Sequence, residues 1–287
     1  MMFIPLLIGQ ALALQAHDQF SLAFFLGTAL FGILFQVHLL YLNDYADAAL
    51  DQSNEQYWLS GGSRVLPEGK LQRHDLLAGT TVALLLMLGL SLLLGIAQGR
   101  PWMFVGVLAA VALSWAYNLR PLQLSYRGHG EILQGLGCGV LLPLIGFYMQ
   151  QASLSDFPWA TLVPLYLIFH AGNIITALPD YQSDKAGRKN TVPVRRGEHR
   201  ARKAALLLIV LAIVGVVLVS LQMPPLVLTL IALPSSLILF GIMATGTLRM
   251  ADVANFSICK RFVNWTSASQ AWLLCTWSGA LMLSRSL

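Results

Sequence analysis

Apolar residues gather in nine stretches, near 2–16, 20–42, 76–97, 101–118, 131–149, 158–178, 204–222, 225–247 and 264–284. Crossing the roughly 30 Å hydrocarbon core takes about 20 apolar residues in a helix. The pattern therefore predicts an all-α polytopic membrane protein, a bundle of nine transmembrane helices in one domain over residues 1–287. The fourth and fifth stretches are short or interrupted by Gly and Pro. The first spans comfortably only if it continues to about residue 18. It has no basic lead, and no small-residue cleavage site stands out, so it reads as a retained helix rather than a signal peptide.

Composition strengthens this reading. Charged residues make up 11% of the chain and hydrophobic ones 56%, against about 25% charged in an ordinary soluble domain. The net charge of +5 raises the question of nucleic acid, but the placement of the bases argues against it. Eight of the 18 Lys and Arg fall between Lys185 and Lys203, and sixteen lie on the even-numbered connections. Only Arg100 and Arg285 remain for the other side. By the positive-inside rule the even loops and the N-terminus are cytoplasmic, and the C-terminus is outside. Cys138, Cys259 and Cys275 show no metal-ligand spacing and read as packing residues.

The decorated side carries the chemistry. Asp44, Asp47 and Asp51 are three and four residues apart, so they share a face if the second helix continues through them. Three like charges at a membrane interface need compensation, and a divalent cation supplies it. Mg²⁺ prefers one or two carboxylates together with phosphate oxygens and water. Asn43 adds a neutral amide oxygen. Asp180 and Asp184 repeat the theme four residues apart, followed at once by Lys185, Arg188 and Lys189, then Arg195 and Arg196. Acids to hold a cation beside bases to meet phosphate oxygens suit a metal–phosphate pair. The plainer reading is a solvated helix end and a basic anchor against lipid head groups. The two acid groups, four spans apart and alike in position, suggest a weak parallel repeat.

Other polar groups are less specific. Ser60-Gly61-Gly62-Ser63-Arg64 is a glycine-rich turn that could bring backbone N–H groups and a guanidinium to an anion, with Lys70 beyond it. Tyr117, Arg120, Tyr126 and Arg127 form a third group on the same side, readable also as interfacial aromatics and snorkelling bases. Within the spans, Gln36, His38, Gln134, His170 and Asn173 are polar. His170 and Asn173 either line a cavity beneath the acids or bond between helices. Two acid groups with bases beside them and a greasy interior below specify a substrate with a diphosphate head and a long apolar tail. Ionisation would yield an allylic cation sheltered by the bundle.

These residues resemble the UbiA superfamily of intramembrane prenyltransferases. Asn43-Asp44-x-x-Asp47-x-x-x-Asp51 is similar to its first motif and Asp180-x-x-x-Asp184 to its second. The stretch from Asp180 to Gly197 resembles the family beyond the two acids, and Tyr117 to Glu131 looks like the 1,4-dihydroxy-2-naphthoate polyprenyltransferase branch. The resemblance implies a nine-helix bundle with an Mg²⁺-dependent active site near the cytoplasmic face. Asn43, Asp44, Asp47, Asp51, Asp180 and Asp184 would hold Mg²⁺ and diphosphate, with Asp44, Asp47, Asp180 and Asp184 catalytic. Arg64, Lys70, Arg120, Lys185, Arg188 and Lys189 would meet the diphosphate, and Tyr117, His170 and Asn173 would line the substrate cavity. Arg120 stands where many members have a Lys one residue further on, and the usual Arg-Pro lead before the first helix is missing. The implied partners are a polyprenyl diphosphate, an aromatic or quinol acceptor, as in menaquinone synthesis, and the bilayer. A terpene cyclase would use the same acids without an acceptor, and a divalent-cation transporter would use them as ion ligands.

Overall fold

The computed structural model describes residues 2–17, 20–52, 63–222, 231, 234–239, 241–242 and 256–283. All regular structure among the described residues is helical. The long elements are α1 (Phe3–Ala16), α2 (Leu22–Gln52), α3 (Arg73–Ala97) and α4 (Trp102–Asn118). Next come α5 (Gly130–Leu136) and α6 (Leu142–Gln151), joined into one rod by a π-helical turn over Gly137–Leu141, and then α7 (Leu162–Thr176). Two short helices follow, α8 (Tyr181–Ala186) and α9 (Val192–Arg196), before α10 (Glu198–Ser220) and the C-terminal α11 (Phe256–Leu283).

Eight of the nine expected apolar stretches thus appear as helices among the described residues. The remaining one, 225–247, lies largely outside them, so the count of nine rests on the sequence. Among the described residues, five helical segments are long and apolar enough to cross a membrane: Leu22–Asp51, Arg73–Ala97, Gly130–Gln151, Trp159–Thr176 and Glu198–Ser220. Phe3–Ala16 and Trp102–Asn118 are apolar but shorter. Large apolar side chains stand exposed along these rods, Leu85, Leu93 and Ile96 on α3 and Leu207 and Leu218 on α10 among them. A helix satisfies its own backbone, so such faces suit lipid.

Close approach holds the bundle together. The helix α1 packs on α6 and α11, α2 on α3, and α7 on α10 and α5. At the α1–α6 crossing a Cβ on Gly9 would lie 2.0 Å from the Pro143 carbonyl oxygen, and one on Gly146 would lie 2.2 Å from that of Leu6. Small residues let membrane helices meet backbone to backbone. His38 ties three helices: Nδ1 lies 3.1 Å from the Thr80 carbonyl on α3 and Nε2 lies 3.3 Å from Ser114 Oγ on α4.

Two boundaries matter for the site. The helix α2 does not stop at the end of its apolar stretch but runs on to Gln52, carrying Asp44, Asp47 and Asp51. The helix α7 ends at Thr176, four residues before Asp180. Pro179 disfavours helix in the residue before it, and Asp180 instead starts the separate helix α8. The apparent repeat therefore covers the acids but not the way the chain carries them.

Candidate functional site

The first acid group follows from helical geometry. Residues 44, 47 and 51 fall on one face of α2, and that face turns inward: Asp44 is 5% exposed, Asp47 and Asp51 each 7%. The second group is placed by turns. Arg188, at φ 55°, reverses the chain just after α8. The Lys189 N–H then donates to the Asp184 carbonyl at 2.8 Å, and the Asn190 N–H to the Tyr126 carbonyl at 3.0 Å. Gly187 makes the approach possible, because a Cβ there would sit 2.3 Å from Leu50 Cδ1 on α2.

The outcome is one cavity of about 360 Å³ shared by both groups. Asp44, Asp47, Asp51, Asp180 and Asp184 all line it, together with Lys189. Five of the chain's 13 acids thus meet at one place. Lys189 Nζ lies 2.8 Å from Asp47 Oδ2, with the two side chains 13% and 9% exposed. The Tyr126 hydroxyl donates to Asp47 Oδ1 at 2.8 Å, and Asn43 Nδ2 donates to Oδ2 at 3.2 Å. The Ser63 N–H (3.3 Å) and hydroxyl both donate to Asp44. The Thr191 hydroxyl donates to Asp184 Oδ2 at 3.1 Å.

The electrostatics show an excess of negative charge. Burial, reinforced by Asp180, pushes the Asp184 carboxyl up to about 7, even though Lys189 and the Thr191 hydroxyl draw it down. Burial works against the Lys189 ammonium, yet Asp47, Tyr117 and Asp184 outweigh it and hold its pKa above the ordinary lysine value. Burial and then Asp47 raise the Tyr126 hydroxyl, so it stays a donor. Among the described lining residues one ammonium faces five carboxyls and does not balance them. Hard oxygen donors in such excess fit Mg²⁺. Among the described residues no three His, Cys, Asp or Glu side chains come together closely enough to hold an ion unaided, and Mg²⁺ sites commonly draw their remaining ligands from phosphate and water.

A second cavity of about 220 Å³ adjoins the first, with Leu40, Asn43 and Tyr117 lining both. Phe35, Leu39 and Leu113 give it apolar walls, and Cys138 and Leu142 lie in its lining near the π-helical turn. Among the described residues its lining holds no Asp, Glu, Lys, Arg or His. π-helical turns recur at functional sites in helices.

Not every expected residue arrives. Of the six bases expected to meet a diphosphate, only Lys189 lines the acid cavity. Lys185 and Arg188 are exposed on the outer side of the turn, and Arg120 is exposed after α4. Lys70 pairs with Glu68 at 2.7 Å, and Arg64 lies 3.8 Å from the same carboxylate. Of the glycine-rich turn, Ser60, Gly61 and Gly62 lie outside the described residues. Tyr117 and Asn173 line the acid cavity, and Asn173 Nδ2 donates to the Tyr117 hydroxyl at 3.3 Å. His170 does not line it; its Nδ1 lies 3.1 Å from the Tyr166 hydroxyl one turn earlier on α7. Sequence reasoning did not single out Thr191, and it named Ser63 and Tyr126 only within the glycine-rich turn and the polar group after α4, without a partner among the acids. Tyr126 had a signal, its place among the polar residues after α4, but its link to Asp47 spans 79 positions.

Comparison with known proteins decides the relationship. A family model described as the UbiA prenyltransferase family matches residues 2–267. The chain belongs to this family. Over 203 residues it is 25% identical to the 1,4-dihydroxy-2-naphthoate octaprenyltransferase of Bacillus subtilis, covering 69% of this chain but 63% of that protein. The apo structure of a UbiA homologue from Aeropyrum pernix K1 superposes with a TM-score of 0.77 at 16% identity, covering 100% of this chain and 98% of the other. A UbiA homologue from Archaeoglobus fulgidus, bound to DMAPP and Mg²⁺, gives 0.68 at 17% identity, covering 94% and 95%. The UbiA fold is therefore shared over almost the whole chain.

Proposed function

We propose that this UbiA-family protein is an Mg²⁺-dependent prenyltransferase that moves a polyprenyl group from its diphosphate to a hydrophobic aromatic acceptor. The observation that carries this is the pair of adjoining cavities, one lined by five carboxyls and the other, among the described residues, lined by no charged side chain. The first suits a metal-bound diphosphate and the second a prenyl tail. Asn43 and Tyr117 line both, so in this reading the reacting carbon sits beside them. Asp44, Asp47, Asp51, Asp180 and Asp184 would hold Mg²⁺, which neutralises the diphosphate and makes it a leaving group.

The chain's own residues do the rest. Lys189 offers a charge-assisted hydrogen bond to a phosphate oxygen. Asn43 and Asn173 offer amides beside the head group, while the apolar walls keep water from the carbon as its C1–O bond breaks and its bond to the acceptor forms. The Bacillus subtilis relative and the DMAPP- and Mg²⁺-bound Archaeoglobus homologue support this assignment. The former makes a naphthoate-type acceptor, and so a menaquinone-type role, our leading choice. In this reading the acid end faces the cytoplasm, because sixteen of the 18 Lys and Arg fall on that side.

The test is direct. Purified full chain is incubated with Mg²⁺, labelled polyprenyl diphosphates and a panel of aromatic acids and quinols, and products are read by mass spectrometry. A Mg²⁺-dependent prenylated naphthoate is the expected outcome. Release of a cyclised isoprenoid without acceptor would instead make the protein a cyclase. Metal flux through proteoliposomes without prenyl substrate would make it a transporter.

A further inference from the structure

We infer that Lys189 stands in for the divalent cation at Asp47, so that the free site takes metal weakly and fills when metal and diphosphate arrive together, the ammonium then passing to a phosphate oxygen. This rests on the metal–diphosphate reading of the site and adds an order of events to it.

Both Asp47 oxygens are engaged before any ligand arrives. Lys189 Nζ lies 2.8 Å from Oδ2, and the Tyr126 hydroxyl donates to Oδ1 at 2.8 Å. Asp44 accepts from Ser63 and Asp184 from Thr191. A cation arriving alone at Asp47 must break a nearly buried ion pair and take the ammonium's carboxylate from it, and breaking such a pair is strongly unfavourable. A cation arriving with a diphosphate leaves no such deficit. Asp47 exchanges the ammonium for the metal, and the ammonium exchanges Asp47 for a phosphate oxygen, a charge-assisted bond of the same kind.

The local structure allows that move without moving the chain. The Lys189 backbone is fixed by its N–H bond to the Asp184 carbonyl. Its side chain is a flexible four-carbon stem carrying a compact charge. Nζ also lies 5.3 Å from the centre of the Tyr126 ring, a cation–π surface beside the path. Lys185 and Arg188, one and four residues after Asp184, are exposed and hold no such position.

The experiment follows Mn²⁺, a paramagnetic substitute for Mg²⁺, binding to the purified full chain by electron paramagnetic resonance. It is run with and without geranyl thiolodiphosphate, an unreactive donor analogue. Wild type should bind Mn²⁺ weakly alone and at least tenfold more tightly with the analogue. Lys189→Met and Lys189→Gln should each bind Mn²⁺ alone at least tenfold more tightly than wild type, with a smaller gain from the analogue. Lys189→Arg, which keeps the cation, should stay weak alone. Two neutral variants guard against one failing to fold, which a thermal melt reveals. If the folded neutral variants bind Mn²⁺ alone no better than wild type, the stand-in role is wrong while the site reading survives. If wild type binds no Mn²⁺ even with the analogue, the site reading fails and this inference with it.

Discussion

Asp44, Asp47 and Asp51 ride on a single 31-residue helix, whereas Asp180 stands at the N-cap of a six-residue helix and Asp184 within it, a helix fastened by contacts from elsewhere in the chain. In the first group the spacing of three and four residues is itself the geometry, because a helix places such positions on one face. In the second the four-residue spacing fixes only the relation of the two acids to each other. Their relation to α2 depends on Gly187 lying against Leu50, on Thr191 bonding Asp184, and on Asn190 bonding the Tyr126 carbonyl. One half of the site is built by local structure and the other by fit. Damage to the first should act through lost ligands, and damage to the second through lost position as well.

The largest effect should come from the ligands themselves, and it should be the same for both halves. Asp47→Ala or Asp180→Ala should lower turnover by roughly 10²–10³-fold or more, the scale for deleting one preorganised electrostatic group. The purified variants should still insert and melt cooperatively. Near-normal activity in Asp180→Ala would remove the second half from the site and end the two-group account.

The next effect should separate the halves. In Gly187→Ala the new Cβ meets Leu50 Cδ1, and a contact of 2.3 Å has to be relieved by movement. Overpacking of this kind costs about 1–3 kcal/mol, toward the lower end here because Leu50 Cδ1 is the end of a flexible side chain that can turn aside, and what that turn does not absorb pushes α8 away from α2. Turnover should fall about tenfold with a lower melting temperature. Adding Leu50→Ala should restore most of it, since residues in contact couple. A double variant no better than Gly187→Ala would show that this contact does not set the distance between the acid groups.

The same division explains what could be read from the sequence. The acids of α2, their shared face and the membrane-spanning rods are legible because helical periodicity is written in nearby residues. The pairing of Lys189 with Asp47 spans 142 positions and has no periodic signature. Lys185, Arg188 and Lys189 looked alike as bases beside acids. What distinguishes them is the reversal at Arg188, which aims one inward and leaves two exposed. His170 and Asn173 likewise sat three apart on one stretch, yet only Asn173 reaches the cavity, while His170 meets Tyr166 on its own helix. The second cavity had no single-residue signal, because what defines it, among the described residues, is the absence of Asp, Glu, Lys, Arg and His from three helical rods at once.

A smaller change probes how tightly the second half is held. The Thr191 hydroxyl, on a buried residue, donates to Asp184 at 3.1 Å. Thr191→Val keeps the shape and removes the donor. Hydrogen bonds to charged groups contribute about 1.5–3 kcal/mol, so affinity for an unreactive donor analogue should weaken by about tenfold, measured by calorimetry. An unchanged affinity would mean that Asp184 needs no support from α9.

The smallest effect should be at Arg188, and it sharpens the comparison most. This residue contributes two separable things, a left-handed backbone at φ 55° and an exposed guanidinium. Glycine adopts that backbone freely, so Arg188→Gly removes the side chain and keeps the turn. Exposed substitutions of this kind change stability by about 0.5 kcal/mol or less, and turnover should hold to within about threefold. Arg188→Val does the reverse. A β-branched residue at positive φ is a genuine outlier, costing about 1–3 kcal/mol, and the relaxed turn would re-aim Lys189 away from Asp47. Turnover and the tightening of Mn²⁺ binding by donor analogue should then both fall. If Arg188→Gly proves as damaging as Arg188→Val, the guanidinium itself reaches the diphosphate, and the second half of the site supplies two bases rather than one.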